Sequence, residues 1–349
     1  MSDALKLTVY HGQISVGVVH GIQSLQWMPA WAEAGEAKLV CGLTPENLDL
    51  LRQWALLYLP DTPGYAAQIV AIDLNVAAWT MTVRAQFTLR LLAQRVAKGS
   101  HTITDAAGGL LALCREHLRG LPVALPQSAG FSAPCEETLE WPDLYTAATR
   151  LAAAGGFGLR MAFDRTTAAH SLEFLHPVDR TQGEACRGYL GTRMRDLADP
   201  VYSLNGKEFA TVAICQGDNA VVEVGDTEAT GLARRELYVD GGSVQRTYSV
   251  PQPNGTTTQQ TYSEEEYLAL LRSHAAAALA EHCNAQQLSA TATGLHLVYG
   301  TDYALGDLLP IRVPELGLHG SARVERVKLI FEDNCRTVEP VLGDIVVAG

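Results

Sequence analysis

The sequence predicts a β-rich α+β protein with more than one domain. Three observations carry that expectation. The chain has 349 residues, room for about two or three domains. Apolar residues make up 47% and charged residues 18%, which is enough for a packed core and excludes a wholly disordered chain. Apolar and polar residues alternate near both ends, whereas the stretch 100–180 is spaced more like helices.

The elements follow in chain order. Leu5, Leu7 and Val9 alternate with Lys6, Thr8 and Tyr10 as in a half-buried strand, and 14–18 continues it. Thr44-Pro45-Glu46 is a helix start: Thr44 can cap, Pro45 fits the first turn and Glu46 suits the positive dipole end. That helix is expected to run to about Tyr58 and stop at Pro60. The clearest strand is 79–87, with Trp79, Met81, Val83, Ala85 and Phe87 on one face. The stretch 68–74, linked to it through Asn75, completes a hairpin. Thr104-Asp105 opens a helix carrying Leu110, Leu111, Cys114 and Leu118, and a loop rich in Pro, Ser and Gly follows over 121–135. Pro142 opens a short helix with Leu144, Ala147, Ala148 and Leu151, ended by Gly155-Gly156. Strands are expected at 157–163 and 171–175, then at 210–215, 220–224, 235–239 and 244–250. The polar run 251–260 is a mobile loop. Ser263 and Glu266 form a capping box for an Ala-rich helix reaching about Cys283, and strands including 323–331 finish the chain. No fixed-period repeat is present, which argues against a solenoid or propeller.

The net charge is −12, from 26 basic and 38 acidic residues, so there is no global footprint for gripping nucleic acid. No apolar run approaches the roughly 18 residues of a membrane span, and 1–6 lacks the pattern of a signal peptide. The seven cysteines, Cys41, Cys114, Cys135, Cys186, Cys215, Cys283 and Cys335, are scattered without a C-x-x-C pair. They read as reduced thiols, mostly small core hydrophobes.

The signatures of a P-loop, a dinucleotide fold, a zinc protease, an EF-hand and a hydrolase elbow are all missing. Three weaker constellations remain. Cys114 and His117 are three apart on a helix and can share a metal, but two ligands do not make a site. His274 and His282, with Cys283, lie on the Ala-rich helix, yet eight residues is about two turns, and a solvated face explains them better. Cys135 with His170 or His176 offers a thiol and a base, with nothing local to support the pairing. The acidic clusters Glu136-Glu137 and 264–266 sit beside predicted helix starts, where they serve the dipole. The sequence therefore identifies no catalytic, metal or cofactor residue. The segment 231–240 differs. Arg234 and Arg235 are set against Glu236 and Asp240, either as an ion-pair clasp between domains or subunits, or as a local salt bridge on a solvated strand edge.

Four stretches in order resemble the siphophage tail-hub family, the baseplate hub proteins at the tip of long non-contractile tails. They are Ser24-Leu25-Gln26-Trp27 with Gly35-Glu36-Ala37-Lys38-Leu39; the hairpin 68–87 running into Leu91-Leu92-Ala93-Gln94-Arg95; the turn and strand 231–240; and Tyr303-Ala304-Leu305-Gly306-Asp307 with 322–332 and Pro340-Val341-Leu342-Gly343. The likeness is poorest over 100–180 and the 251–262 loop. It implies two barrel-like hub domains with smaller α+β domains. The segments are an N-terminal β-rich hub domain with one helix (1–100), a helix-plus-hairpin subdomain (101–182), a β-rich segment with the mobile loop 251–262 and the Ala-rich helix (183–287), and C-terminal strands completing a barrel (288–349). It further implies a homotrimer in the distal tail of the virion, made in the host cytoplasm. Its partners would be a distal tail protein ring, a tape-measure protein and a central tip fibre on a separate polypeptide. DNA would pass through the lumen without specific binding, and the chain would not be an enzyme. Two other roles compete: a tail-associated cell-wall hydrolase or peptidase, and a receptor- or carbohydrate-binding tip module. The second would expose aromatic residues, whereas those of the recognised strands are expected on core faces.

Overall fold

Period-two alternation builds most of the protein. In the computed structural model, which describes residues 5–251, 257–282, 285–332 and 335–348, the strand Thr80–Phe87 buries Met81, Val83, Ala85 and Phe87 as the sequence predicts. It lies inside a twelve-stranded sheet. From one edge the order is Leu190–Gly191, Leu308–Val313, Leu318–Glu332, Ile22–Met28, Glu36–Gly42, Thr80–Phe87, Ala66–Asn75, Leu56–Tyr58, Thr8–His11 and Ile14–Val18. Cys335–Leu342 and Val346–Ala348 also pair with the long strand Leu318–Glu332. Among the described residues no sheet closes on itself. The core face carries Leu25, Trp27, Leu39, Val327 and Leu329, and the Trp27 ring meets Phe87 edge-on at 4.8 Å. Each large side chain buried there contributes about 1.5–3 kcal/mol.

The chain divides into two units, Met1–Pro200 with Ser289–Gly349, and Val201–Leu288. The first also holds a small α+β layer. The helix Ala106–His117 and a later helix, Leu144–Gly155, bury Leu110, Cys114, Leu144, Ala148 and Leu151 against Phe157, Leu159 and Met161. Asp143 caps the later helix through Thr146 N (3.0 Å), and Gly156, at φ 68°, ends it. The hairpin Gly158–Asp164 with Ala169–Leu175 follows as expected.

In the second unit Val212–Gly217 is central, antiparallel to Ala220–Gly225 and parallel to Glu236–Asp240. The helix Glu264–Glu281 buries Tyr267, Leu271 and Ala275 on Ala213, Cys215 and Val222. Its capping box is formed, Ser263 Oγ accepting from Glu266 N and Ser263 N donating to the Glu266 carboxylate.

Several expectations need correction. The helix after Thr44 stops at Leu50; Leu56–Tyr58 is a strand, three buried residues paired on both sides, so sheet pairing outweighs helical spacing. Residues Thr88–Gln94 form a 3-10 helix. Glu136 and Glu137 lie on the strand Pro134–Glu140, paired with Ser100–Asp105, rather than at a helix start. The expected loop at 251–260 is largely hairpin, Thr257–Thr261 pairing with Thr247–Pro251, while 252–256 lies outside the described residues. The Ala-rich helix ends at Glu281, and Cys283 lies outside the described residues.

Candidate functional site

The outward face of the large sheet is polar over six strands. Register places Gln26 beside Lys38 and Lys38 beside Arg84. Glu36 sits beside Gln86, and Gln86 beside Gln68. Arg84 pairs with Asp73 (2.7 Å), and Lys328 lies 3.9 Å from Glu339. Lys38 and Arg84 are adjacent bases, but Asp73 on one side and Gln26 on the other end that run after two residues. A strand buried on one side writes this pattern directly, apolar inward and polar outward.

The Arg234 segment forms a compact ionic group on the open face of the second unit's sheet. A 3-10 turn, Gly231–Ala233, delivers Arg234 to the sheet edge. Its Nε donates to Glu236 (2.6 Å), Nη2 to Glu223 (2.9 Å) and Nη1 to the Thr227 carbonyl (3.1 Å). These bonds hold its pKa above the ordinary value. Arg235 turns elsewhere, its guanidinium 5.6 Å from the Phe209 ring centre. Asp240 takes no part: its carboxylate accepts from Gly242 N, and its carbonyl bonds His274 Nε2 (3.1 Å). Sequence reasoning missed Glu223, because only the sheet topology brings it to Arg234.

The remaining candidates occupy separate settings. Cys114 is buried and its thiol is pushed up to about 12 by desolvation; His117 is buried with its ring 5.5 Å from His101. No group of three metal-ligating residues occurs among the described residues. Cys135 Sγ donates to the Ile103 carbonyl (3.5 Å), and burial followed by nearby acids raises its pKa. His176 packs on Phe131 (4.4 Å) and His170 on Phe163 (5.3 Å). His282 Nδ1 bonds the Glu208 carbonyl (2.9 Å). Cys41, Cys114 and Cys215 are buried core thiols, and Cys335 is exposed.

Burial lowers the His170 pKa below its ordinary 6.5, and Nδ1 finds no partner among the described residues. The fold therefore favours the neutral ring. Between that lowered value and 6.5 the unfolded chain binds the extra proton, so stability falls as pH drops below 6.5. Urea midpoints at pH 7.5 and 5.5 are expected to differ less in His170→Phe than in the wild type.

The aromatics expected on strand core faces are buried at Trp27, Phe87, Phe157 and Phe163, and Trp79 is the exception. Trp27 and Trp31 are buried, but Trp54, Trp79 and Trp141 are 57%, 68% and 65% exposed. Trp79 precedes the strand it was expected to join. All three exposed tryptophans adopt positive φ: 70°, 51° and 45°. That conformation is rare for a bulky residue.

Comparison with known proteins places this geometry. No curated protein matches the chain. Among solved structures it is similar to the 43 kDa tail protein of prophage MuSo2 from Shewanella oneidensis, with 11% identity, a TM-score of 0.56, and 98% and 97% of the two chains covered. It is similar to a tail protein of Neisseria meningitidis MC58, at 11% identity and 0.56 over 98% and 96%. It also resembles prophage tail protein gp18 of Listeria monocytogenes EGD-e, at 11% and 0.50 over 97% and 94%. The described residues contain no helix long and apolar enough to cross a membrane. The Siphovirus ReqiPepy6 Gp37-like protein family matches residues 126–344, well over half of the chain. With the fold of prophage tail proteins along its whole length and that match across its larger part, the chain belongs to the Siphovirus ReqiPepy6 Gp37-like family.

Proposed function

We propose that the protein is a structural hub subunit at the distal end of a non-contractile phage tail, where three copies form a ring that joins the tube to the tip and lets DNA pass. The observation that carries this reading is the fold match to tail proteins over nearly their full length, together with the family. The segments 1–100 and 288–349 supply the hub strands, 101–182 and 183–287 the smaller domains. Two barrel-like domains per chain give the ring pseudo-sixfold character. The polar sheet face suits a lumen wall, because its one basic pair, Lys38 with Arg84, is bounded by Asp73 and Gln26 and gives DNA phosphates no long basic track to grip. A clasp to a neighbouring domain or subunit through Arg234, Arg235 and Glu236 would extend the ionic group in which Arg234 already holds Glu236 and Glu223. The distal tail ring, the tape-measure protein and the tip fibre are the partners, and no covalent chemistry is required.

Microscopic reconstruction of whole tails tests the reading. Three copies at the distal end are expected. Copies spaced along the tube, absence from the particle, or a lumen lined by Lys and Arg would overturn it.

A further inference from the structure

The hairpin formed by Ala66–Asn75 and Thr80–Phe87 carries an apolar projection at one end and an apolar groove at the other. At the tip, Leu74, Val76, Ala77, Ala78 and Trp79 are all exposed. Trp79 occupies the left-handed region, where hairpin turns normally place Gly or Asn. The turn is nonetheless well defined, with Asn75 Oδ1 accepting from Ala78 N (3.0 Å) and Leu43 N donating to the Trp79 carbonyl (2.9 Å). At the base, Trp54, Val70, Phe87, Leu91 and Ala93 line an open groove of about 620 Å³ whose surface is mostly apolar. Trp54 stands third in a turn closed by Ala55 N on the Arg52 carbonyl (3.1 Å), again at positive φ. Bulky residues held in such costly conformations are characteristic of functional positions. Trp79 stands at one end of the hairpin and Trp54, from the turn before Leu56, lines the groove at the other, while Trp141 lies elsewhere.

From Thr80 to Gln86 is six residues, about 20 Å of strand. The strands are rigidly paired, so no chain can place its own tip in its own groove. Neither end carries a free charge that would repel an apolar partner: Asp73 beside the tip is paired with Arg84 (2.7 Å), and Arg90 on the groove rim lies 4.5 Å over the Tyr145 ring. We infer that the 76–79 tip of one copy inserts into the Trp54–Leu91 groove of a second copy of this chain. Such a contact joins unlike surfaces, so it propagates head to tail and ends only by closing into a ring. The inference deepens the proposed hub role by naming the surfaces that join its copies.

Cross-linking tests it in a background with Cys135, Cys186, Cys283 and Cys335 changed to Ser, which leaves only the buried core thiols. Ala78→Cys protein and Ala93→Cys protein, mixed and treated with a short bis-maleimide, are expected to give a covalent dimer that neither gives alone. The chain carrying both changes should give a ladder ending at one closed size. Adding Trp79→Ser to the Ala78→Cys chain should cut the yield at least about tenfold, as for loss of a central aromatic anchor. Its thermal melt should not fall, since the exposed ring supports no core. Absence of the mixed dimer, tip-to-tip linkage of Ala78→Cys alone, or indifference to Trp79→Ser would overturn the inference. So would Trp79-dependent sedimentation with phosphatidylglycerol vesicles, or Trp54-dependent capture on a glycan array. Three copies on tails without the 78–93 link would sink this contact alone. A link in solution by a protein missing from tails would sink the hub role alone.

Discussion

Replacing Asp307 with alanine is expected to destabilise the first unit by about 3 kcal/mol. Asp307 is 1% exposed and gathers three donors: Val178 N (3.1 Å), Ala304 N (2.8 Å) and the Arg180 guanidinium. It thereby holds the 178–180 segment onto the turn before Leu308–Val313, where Leu308 N also donates to the Val178 carbonyl and Arg180 N to the Leu308 carbonyl. Alanine leaves two amides and a cation without their acceptor. Losing one partner of a buried pair costs about 3–5 kcal/mol. The lower end applies because the Arg180 side chain is 19% exposed and can reach water. Urea unfolding should show the drop in midpoint at constant slope. The double variant Asp307→Ala, Arg180→Met should lose less than the sum of the single changes, because no stranded cation remains.

The adjacent residue gives the second large effect. Gly306→Ala is expected to cost about 2–6 kcal/mol, combining about 1–3 for a strained backbone with about 1–3 for overpacking. Gly306 has φ 91°, and a Cβ there would overlap the Trp31 ring. The ring has nowhere to retreat. Gly158 lies against it with no room for a Cβ either, and the Arg323 guanidinium sits 5.6 Å from its centre. Backbone bonds fix the same residue, Trp31 N donating to the Glu325 carbonyl (2.8 Å) and Leu159 N to the Trp31 carbonyl (2.9 Å). Thermal unfolding of Gly306→Ala beside the exposed-turn control Gly130→Ala separates the two contributions. The control suffers only backbone strain, since nothing lies within contact of its Cβ.

What the sequence disclosed followed the physics of pattern. The strand with Met81, Val83, Ala85 and Phe87 was legible because one face is buried and the other wet. The Ser263–Glu266 box was legible because both partners sit within one turn. The order of short stretches, Tyr303–Asp307 among them, pointed to siphophage tail proteins, and the family match agrees. Leu56–Tyr58 was misread because a strand enclosed on both faces has no alternation to display. Arg180 and Asp307 stand 127 positions apart, and Arg234 finds Glu223 only through sheet order. The exposure of Trp54, Trp79 and Trp141 was hidden for another reason. Hydrophobicity says where a tryptophan would gain by being, not where an assembly needs it.

The chain leaves the first unit along Leu197–Asn205 and comes back along Ala285–Ala292, and these two strands pair with each other. Entry and exit are therefore neighbours, so Val201–Leu288 behaves as a cassette spliced into a single stem. Recombination can exchange such a cassette between genomes, or shorten it, without rewriting the residues that fold the rest.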